Sequence, residues 1–279
     1  MELLSRYIDE TFDLNNCNNY ILSIQFALDG FSFAIFDPVV KKIIVASEYA
    51  FVATAPFVLK NSIQSVINNE SFLLSNYRRV KVSFANNKIT LAPKALADVT
   101  MKNILHDFSH QTERDDAIFI KPIDNELVVV FSLPKIVKEI LDKYYSNIEY
   151  YSSLCPIYNY SKNLSVSSRI LYISVLGHNI LLFVKQGGKI EAFNSFFIQN
   201  ETDALYYILN LISSFNDDLK TELILLGKVE RADSLVLMLK NYFEKISFAE
   251  YGSDYNISYL LMNESQHRFI ELFELFICE

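Results

Sequence analysis

The stretch SIQFALDGFSFAIF, residues 23–36, decides how the rest of the chain is read. Two runs rich in aromatic and branched residues flank Asp29-Gly30. That pair favours a two-residue hairpin turn, because glycine reaches positive φ at little cost. Working outward, residues 20–28 (YILSIQFAL) form a buried strand and FSFAIFD returns beside it. Asp37-Pro38 marks another turn and KKIIVASEY a third strand. The spacing predicts a meander of three antiparallel strands.

The same plan recurs later. SRILYISVL is a strand, Gly177-His178-Asn179 a turn, and NILLFVKQ a return; Gly187-Gly188 turns again into KIEAFNSFF. Ile21 and Ile170 open the corresponding runs, an offset of 149 residues (170 − 21) in a chain of 279. Such internal similarity indicates a duplicated domain. Each meander leads into a helix. Ala55 to Asn68 carries Ile63, Val66 and Ile67 on one face, and Glu201 to Ser214 carries Leu205, Ile208, Leu209 and Ile212. The second half continues with a strand (TELILLG), a helix from Ala232 to Phe243 and a strand (KISFAEY). The first half has extra material between Tyr77 and Gln111, then a strand (ELVVVFS), a helix from Leu133 to Tyr145 and a strand (NIEYYSS). Pro134 suits a first helical turn.

Each half therefore reads β-β-β-α-β-α-β, an α/β fold in which mixed sheets carry packed helices. Residues 1–160 form a first lobe with an inserted subdomain around 77–111, and residues 161–279 a second lobe ending in a helix. In that last stretch, SQHRFIELFELFICE, Phe269, Leu272, Phe273 and Phe276 recur at helical spacing. The stripe is expected to dock on its parent domain, with a partner's groove as the alternative.

Two tandem copies of this order resemble the actin-like ATPase superfamily, of ribonuclease H-like fold, which includes actin, sugar kinases and heat-shock chaperones. The likeness spans almost the whole chain. ELVVVFSLPKIVKEILDKYYSNIEYYSS is similar to the segment closing the first half in the pilus-assembly, secretion-platform and division-protein branch. ITLAPKAL, from Ile89 to Leu96, resembles a segment of an uncharacterised bacterial family of actin-like fold.

The resemblance also says where ATP chemistry would sit. Active members carry an acid, a glycine and a hydroxyl residue on the first hairpin; here Gln25, Ala27 and Leu28 stand there, followed by Asp29. On the second hairpin Ser174 replaces the acid, and Gly177, His178 and Asn179 keep one glycine. The adenosine loop keeps Gly227 and then has Lys228, placed to approach an anion. A loop of this kind at a helix start would also offer free N–H groups. Mg²⁺ sites normally need a carboxylate. The resemblance thus implies a pseudo-ATPase: a non-catalytic scaffold or adaptor with a vestigial nucleotide cleft and no cofactor. A protein partner is implied as well, since platform members bind the short cytoplasmic tail of a partner. The alternatives are a switch that binds ATP or ADP without hydrolysis, and a small-molecule kinase with relocated acids.

Composition narrows the remaining classes. Lys plus Arg is 25 against 33 for Asp plus Glu, a net charge of −8, which argues against a nucleic-acid binder. Arg78, Arg79 and Lys81 read as a solvated strand. Half the residues are apolar, enough for a sizeable core. The three cysteines form no CxxC pattern, the first residues lack a signal-peptide pattern, and no run approaches the ~18 apolar residues of a membrane span. A cytoplasmic protein without membrane insertion is expected. The six glycines assemble no dinucleotide, P-loop or nucleophile-elbow motif. His106 and His110 have a spacing that can ligate zinc, but without HExxH they read as surface residues near a helix end. His178 reads as a turn residue, with a residual anion contact as the sharper alternative, and His267 as surface. Asp115-Asp116 and Asp217-Asp218 read as solvated loops, and Asp124-Asn125 as a hairpin turn. Tyr144, Tyr145, Tyr150, Tyr151, Tyr158 and Tyr160 read as packing between the halves, or as a contact zone for a partner.

Overall fold

The computed structural model describes residues 2–110, 115–164, 168–215, 221–261 and 265–279. Asp217-Asp218 lie outside the described residues. The chain opens with an edge strand outside the expected meander, β1 (Glu2–Ile8). The expected meander follows as β2 (Ile21–Ala27), β3 (Gly30–Asp37) and β4 (Lys42–Ala50), all antiparallel. Then come α1 (Pro56–Asn69) and β5 (Arg79–Phe84). Strands β6 (Ile89–Pro93), β7 (Asp116–Pro122) and β8 (Leu127–Pro134) and helix α2 (Lys102–Ser109) form the insertion. The first lobe resumes with α3 (Lys135–Tyr144) and β9 (Ile148–Ser152), and α4 (Leu154–Lys162) leaves it.

The second lobe repeats the plan with β10 (Arg169–Leu176), β11 (Asn179–Gln186), β12 (Lys189–Phe197), α5 (Glu201–Ser213), β13 (Glu222–Gly227), α6 (Ser234–Leu239) and β14 (Ile246–Phe248). A short β15 (Asn256–Ile257) and α7 (Ile270–Glu274) finish the chain.

The main sheet has the order β1-β4-β3-β2-β5-β9, with β15 also paired to β4; the second sheet has the order β12-β11-β10-β13-β14. In both lobes the meander is antiparallel, and the first meander strand pairs in parallel with the strand after the helix: β2 with β5, and β10 with β13. Strands β2, β4 and β10 are buried along nearly their whole length. That fits central strands covered on both faces.

One expectation is corrected by the pairing. The strand that follows the meander helix in the first lobe is β5, RVKVSF, inside the span read as an insertion. The apolar run LVVVFS is instead β8, the middle strand of the small sheet β6-β8-β7. A continuous apolar run marks a buried strand but not the sheet it belongs to. The insertion therefore lies between β5 and α3 and not at 77–111.

The basic cluster is corrected too. Lys81 is 2 % exposed and donates to the carbonyls of Phe276 and Cys278 at the C-terminal end of the last helical segment. Lysine in this position satisfies carbonyls that a helix end leaves open. His106 and His267 are not on the surface either, and His110 is half-buried. His106 is fully buried and bonds Ser132 Oγ at 2.9 Å, while His110 bonds Thr90 at 2.9 Å. α2 turns His106 inward and leaves Phe108 91 % exposed, the reverse of hydropathy expectation. His267 is buried against the carbonyl of Val229, at 2.6 Å.

Two helices cross between the lobes. α4 leaves the first lobe and packs on the second sheet, with Tyr158 edge-on to Phe183 at 6.2 Å and Tyr160 edge-on to Tyr172 at 6.3 Å. α7 makes the reverse journey, stacking nearby Phe276 on Phe36 at 5.0 Å and burying Phe269, Leu272 and Phe273 against Ala34, Ile43 and Ala46. The C-terminal stripe therefore docks within the chain, but on the first lobe. The tyrosine cluster is packing: all of it but Tyr144 is buried, and Tyr145, Tyr150 and Tyr151 hand their hydroxyls to Leu73, Asp142 and Glu149.

Candidate functional site

The two meander hairpins meet where strand ends from both lobes converge. In open α/β sheets, ligands bind in the crevice outside the carboxyl ends of the strands. Here that crevice is nearly filled. Ala27, Ala85 and Leu176, at the ends of β2, β5 and β10, share one apolar cluster across the junction. Asn179 Nδ2 donates to the Ala85 carbonyl at 3.2 Å.

The first turn is Leu28-Asp29 and not Asp29-Gly30. Gly30 opens β3 outside the left-handed region. Glycine is required there for closeness: a Cβ would meet the Tyr49 carbonyl at 2.8 Å and Lys228 Nζ at 3.0 Å. Gly177, at φ +58°, faces the Asp29 carboxyl so closely that a Cβ would lie 2.4 Å from it. The space between the hairpins is about 20 Å³, room for roughly one water molecule.

A charged triad spans the same place. Glu48, on β4, is 1 % exposed. Its Oε1 lies 2.9 Å from Lys228 Nζ. Its Oε2 accepts from Arg268 Nε at 2.9 Å and lies 2.8 Å from Nη2. Lys228 follows the end of β13 and Arg268 precedes α7, so a single carboxylate ties together elements of both lobes. A buried carboxylate needs such partners to offset its lost hydration.

Behind the triad lies Glu271, on α7. Gln25 Nε2 donates to its Oε2 at 3.3 Å, and the Ser174 hydroxyl donates to its Oε1. Gln25 and Ser174 are the two positions that the sequence resemblance sets against the acids of active members. One carboxyl from the crossing helix bridges both. Burial pushes Glu271 up to about 7, against the opposing pull of the Ser174 and Gln25 bonds.

The remaining sequence candidates have structural partners. Gly227, at φ +82°, would place a Cβ 2.3 Å from the Val175 carbonyl. The Lys228 N–H donates to that carbonyl at 2.7 Å, so this backbone donor is already used, and α6 starts only at Ser234. His178 Nδ1 bonds the Ile198 carbonyl at 3.1 Å and its ring stacks on Phe197. A neighbouring cavity of about 300 Å³ is lined by Gly177, His178, Asn200, Lys228 and Asp233 among others.

The structure brings Gln25, Asp29, Ser174, Gly177, Asn179 and Lys228 together around one junction, and adds Glu48, Arg268 and Glu271, which no sequence motif marks. Glu48 carries no motif. Glu271 lies opposite the Phe269–Phe273 stripe of α7, so helical periodicity assigns it to solvent. The space between the two hairpins does not fit a magnesium-bound triphosphate. Its metal would find no carboxylate at positions 25 and 174, and the gap between hairpins is a small fraction of its volume.

A model of the family described as "Protein of unknown function (DUF3822)" matches residues 9–246. The chain belongs to the DUF3822 family. Its architecture is similar to a Bacteroides thetaiotaomicron VPI-5482 protein with an actin-like ATPase fold and unknown function. That protein is 24% identical with a TM-score of 0.81, over 96% of this chain and 100% of that one. The PilM-PilN type IV pilus biogenesis complex matches at 10% identity and a TM-score of 0.60, over 92% of this chain and 97% of that one. The ethanolamine utilization protein EutJ of Carboxydothermus hydrogenoformans matches at 8% and 0.51, over 93% and 90%. These likenesses establish the actin-like fold for this DUF3822 member. No curated protein matches the chain. Among the described residues, no helix is long and apolar enough to cross a membrane.

Proposed function

We propose that this protein is a non-catalytic, cytoplasmic scaffold of actin-like fold that binds a protein partner. The observation that carries the reading is Glu271 bridging Gln25 and Ser174. Where an ATPase of this fold would direct two acids at a metal shell, the chain places two neutral side chains and satisfies them internally. The Glu48–Lys228–Arg268 triad supports the same reading, because the cations nearest the hairpins are already paired. The partner component rests on analogy of fold with the pilus biogenesis complex.

The test has two parts. Phosphate release from Mg-ATP is expected at the level of buffer alone, and partners captured by crosslinking in cells are expected to bind the purified chain equally with and without nucleotide. Turnover that Glu271→Ala changes, or partner binding that requires ATP, would overturn the proposal. A second reading, a nucleotide-binding switch without hydrolysis, draws on the cavity of about 300 Å³ that Gly177, His178 and Lys228 share with Asn200. Nucleotide-dependent partner binding would favour it.

A further inference from the structure

Near the C-terminal end of α7, residues of α4, the C-terminal segment and the Asp124 hairpin of the insertion line a cavity of about 420 Å³. That lies within the range of small-molecule sites. Its charged lining consists of Asp124, Asp254, Glu274 and Glu279 against a single cation, Lys162.

Glu274 makes this more than an acidic patch. It is 1 % exposed, yet its one hydrogen bond is a long one, from the Tyr255 hydroxyl to Oε1 at 3.3 Å. Among the described residues, its Oε2 meets no donor and no cation lies within ion-pair distance. The other buried acids are served differently. Asp9 has Lys42, Glu48 has Lys228 and Arg268, Glu70 has Arg6, and Glu271 has Ser174 and Gln25. A carboxyl buried without a counter-charge is costly, and this one lines an open cavity.

The walls also accommodate an ammonium group. Lys162 Nζ sits 4.6 Å from the centre of the Tyr158 ring and donates to Asn159 Oδ1 at 2.9 Å. Aromatic faces attract cations in this way. Among the described residues, no group of three or more His, Cys, Asp or Glu is arranged to hold a metal ion. A single buried carboxyl beside an aromatic face suits an ammonium group, whereas a hard metal ion takes six or more oxygen ligands.

We propose that this cavity binds a small aliphatic polyamine, with one ammonium group on Glu274 and a second near Asp254. Asn163 Nδ2 orients Asp254 through a 3.2 Å bond. Tyr160, Tyr255, Asp254 and Cys278 are the titratable groups that face Glu274. Burial, aided by Asp254, pushes its carboxyl up to about 7 against the Tyr255 bond. An adjacent ammonium favours the ionised form. Binding near neutral pH therefore expels a proton from Glu274 to solvent.

Isothermal titration of the full chain with spermidine and putrescine, in two buffers of different ionisation enthalpy at pH 7, tests this. The expected result is saturable one-to-one binding with proton release. Glu274→Gln, which keeps the shape of the neutral carboxyl and so the fold, should abolish the proton release and weaken binding by at least about tenfold, the loss of one charge-assisted contact. Lys162→Ala should tighten binding by removing a competing ammonium. No saturation by about 10 mM spermidine, well above useful affinity, would overturn the proposal. So would binding that Glu274→Gln leaves unchanged, since that is unspecific attraction to an acidic protein.

Discussion

On the hairpin side of the lobe junction, Glu48 is met by two cations and the surrounding space is about 20 Å³. Beside α4, Glu274 is equally buried, meets one hydroxyl, and borders about 420 Å³. The crevice at the strand ends is closed by the chain's own groups, while the cavity beside α4 is open. The lesson is that a site's place in a fold and its capacity for a ligand are separate properties. Capacity is read from unpaired groups and free volume.

The largest effect should come from breaking the triad. Glu48→Ala would leave Lys228 and Arg268 facing each other beside a buried vacancy. Stability to chemical denaturant should fall by about 3 kcal/mol, the lower end for unpairing buried charge because both cations are partly exposed. A loss below about half of that would mean the triad is incidental to closure.

Next is the contact between hairpins. Gly177→Ala forces a side chain into positive φ and into the Asp29 carboxyl, and should cost on the order of 1–3 kcal/mol. Asp29→Gly in the same chain should recover part of that loss. Full additivity of the two changes would show that the hairpins do not press on each other.

A smaller effect concerns pH. In the folded state Glu271 and Glu274 are raised from about 4.5 to about 7. Their contribution is fully present below about pH 4.5 and declines until about pH 7, because the unfolded chain ionises first. The melting temperature should therefore fall between pH 5 and pH 7.5, and Glu271→Gln should flatten part of that slope, by on the order of 1–2 kcal/mol. An unchanged slope would mean that Glu271 ionises freely and is not sealed between the lobes.

Much of this arrangement was legible before any coordinates. Strand lengths and turn residues marked both meanders and the duplication, because hairpin chemistry is local, although the first turn falls at Leu28-Asp29, one residue before the expected pair. Two features escaped for one shared reason, that sequence periodicity reports burial but not against what. LVVVFS and RVKVSF exchanged sheets. Glu271 and Glu274 fall opposite the Phe269–Phe273 stripe, where a helical wheel places solvent. In the structure that face meets the other lobe, because α7 crosses between the two. Lys81 misled for the same reason: its ammonium reaches carbonyls nearly two hundred residues away in sequence.

The smallest expected effect is the most direct test. Thermal unfolding should be measured with and without millimolar Mg-ATP and Mg-ADP. A nucleotide that binds only the folded chain at about a hundred times its Kd would add about 2.7 kcal/mol, a plain shift for a chain of this size. The account predicts no shift with either nucleotide. A saturable rise in melting temperature that Lys228→Ala removes would contradict it, and would mean that the hairpins part to admit a nucleotide.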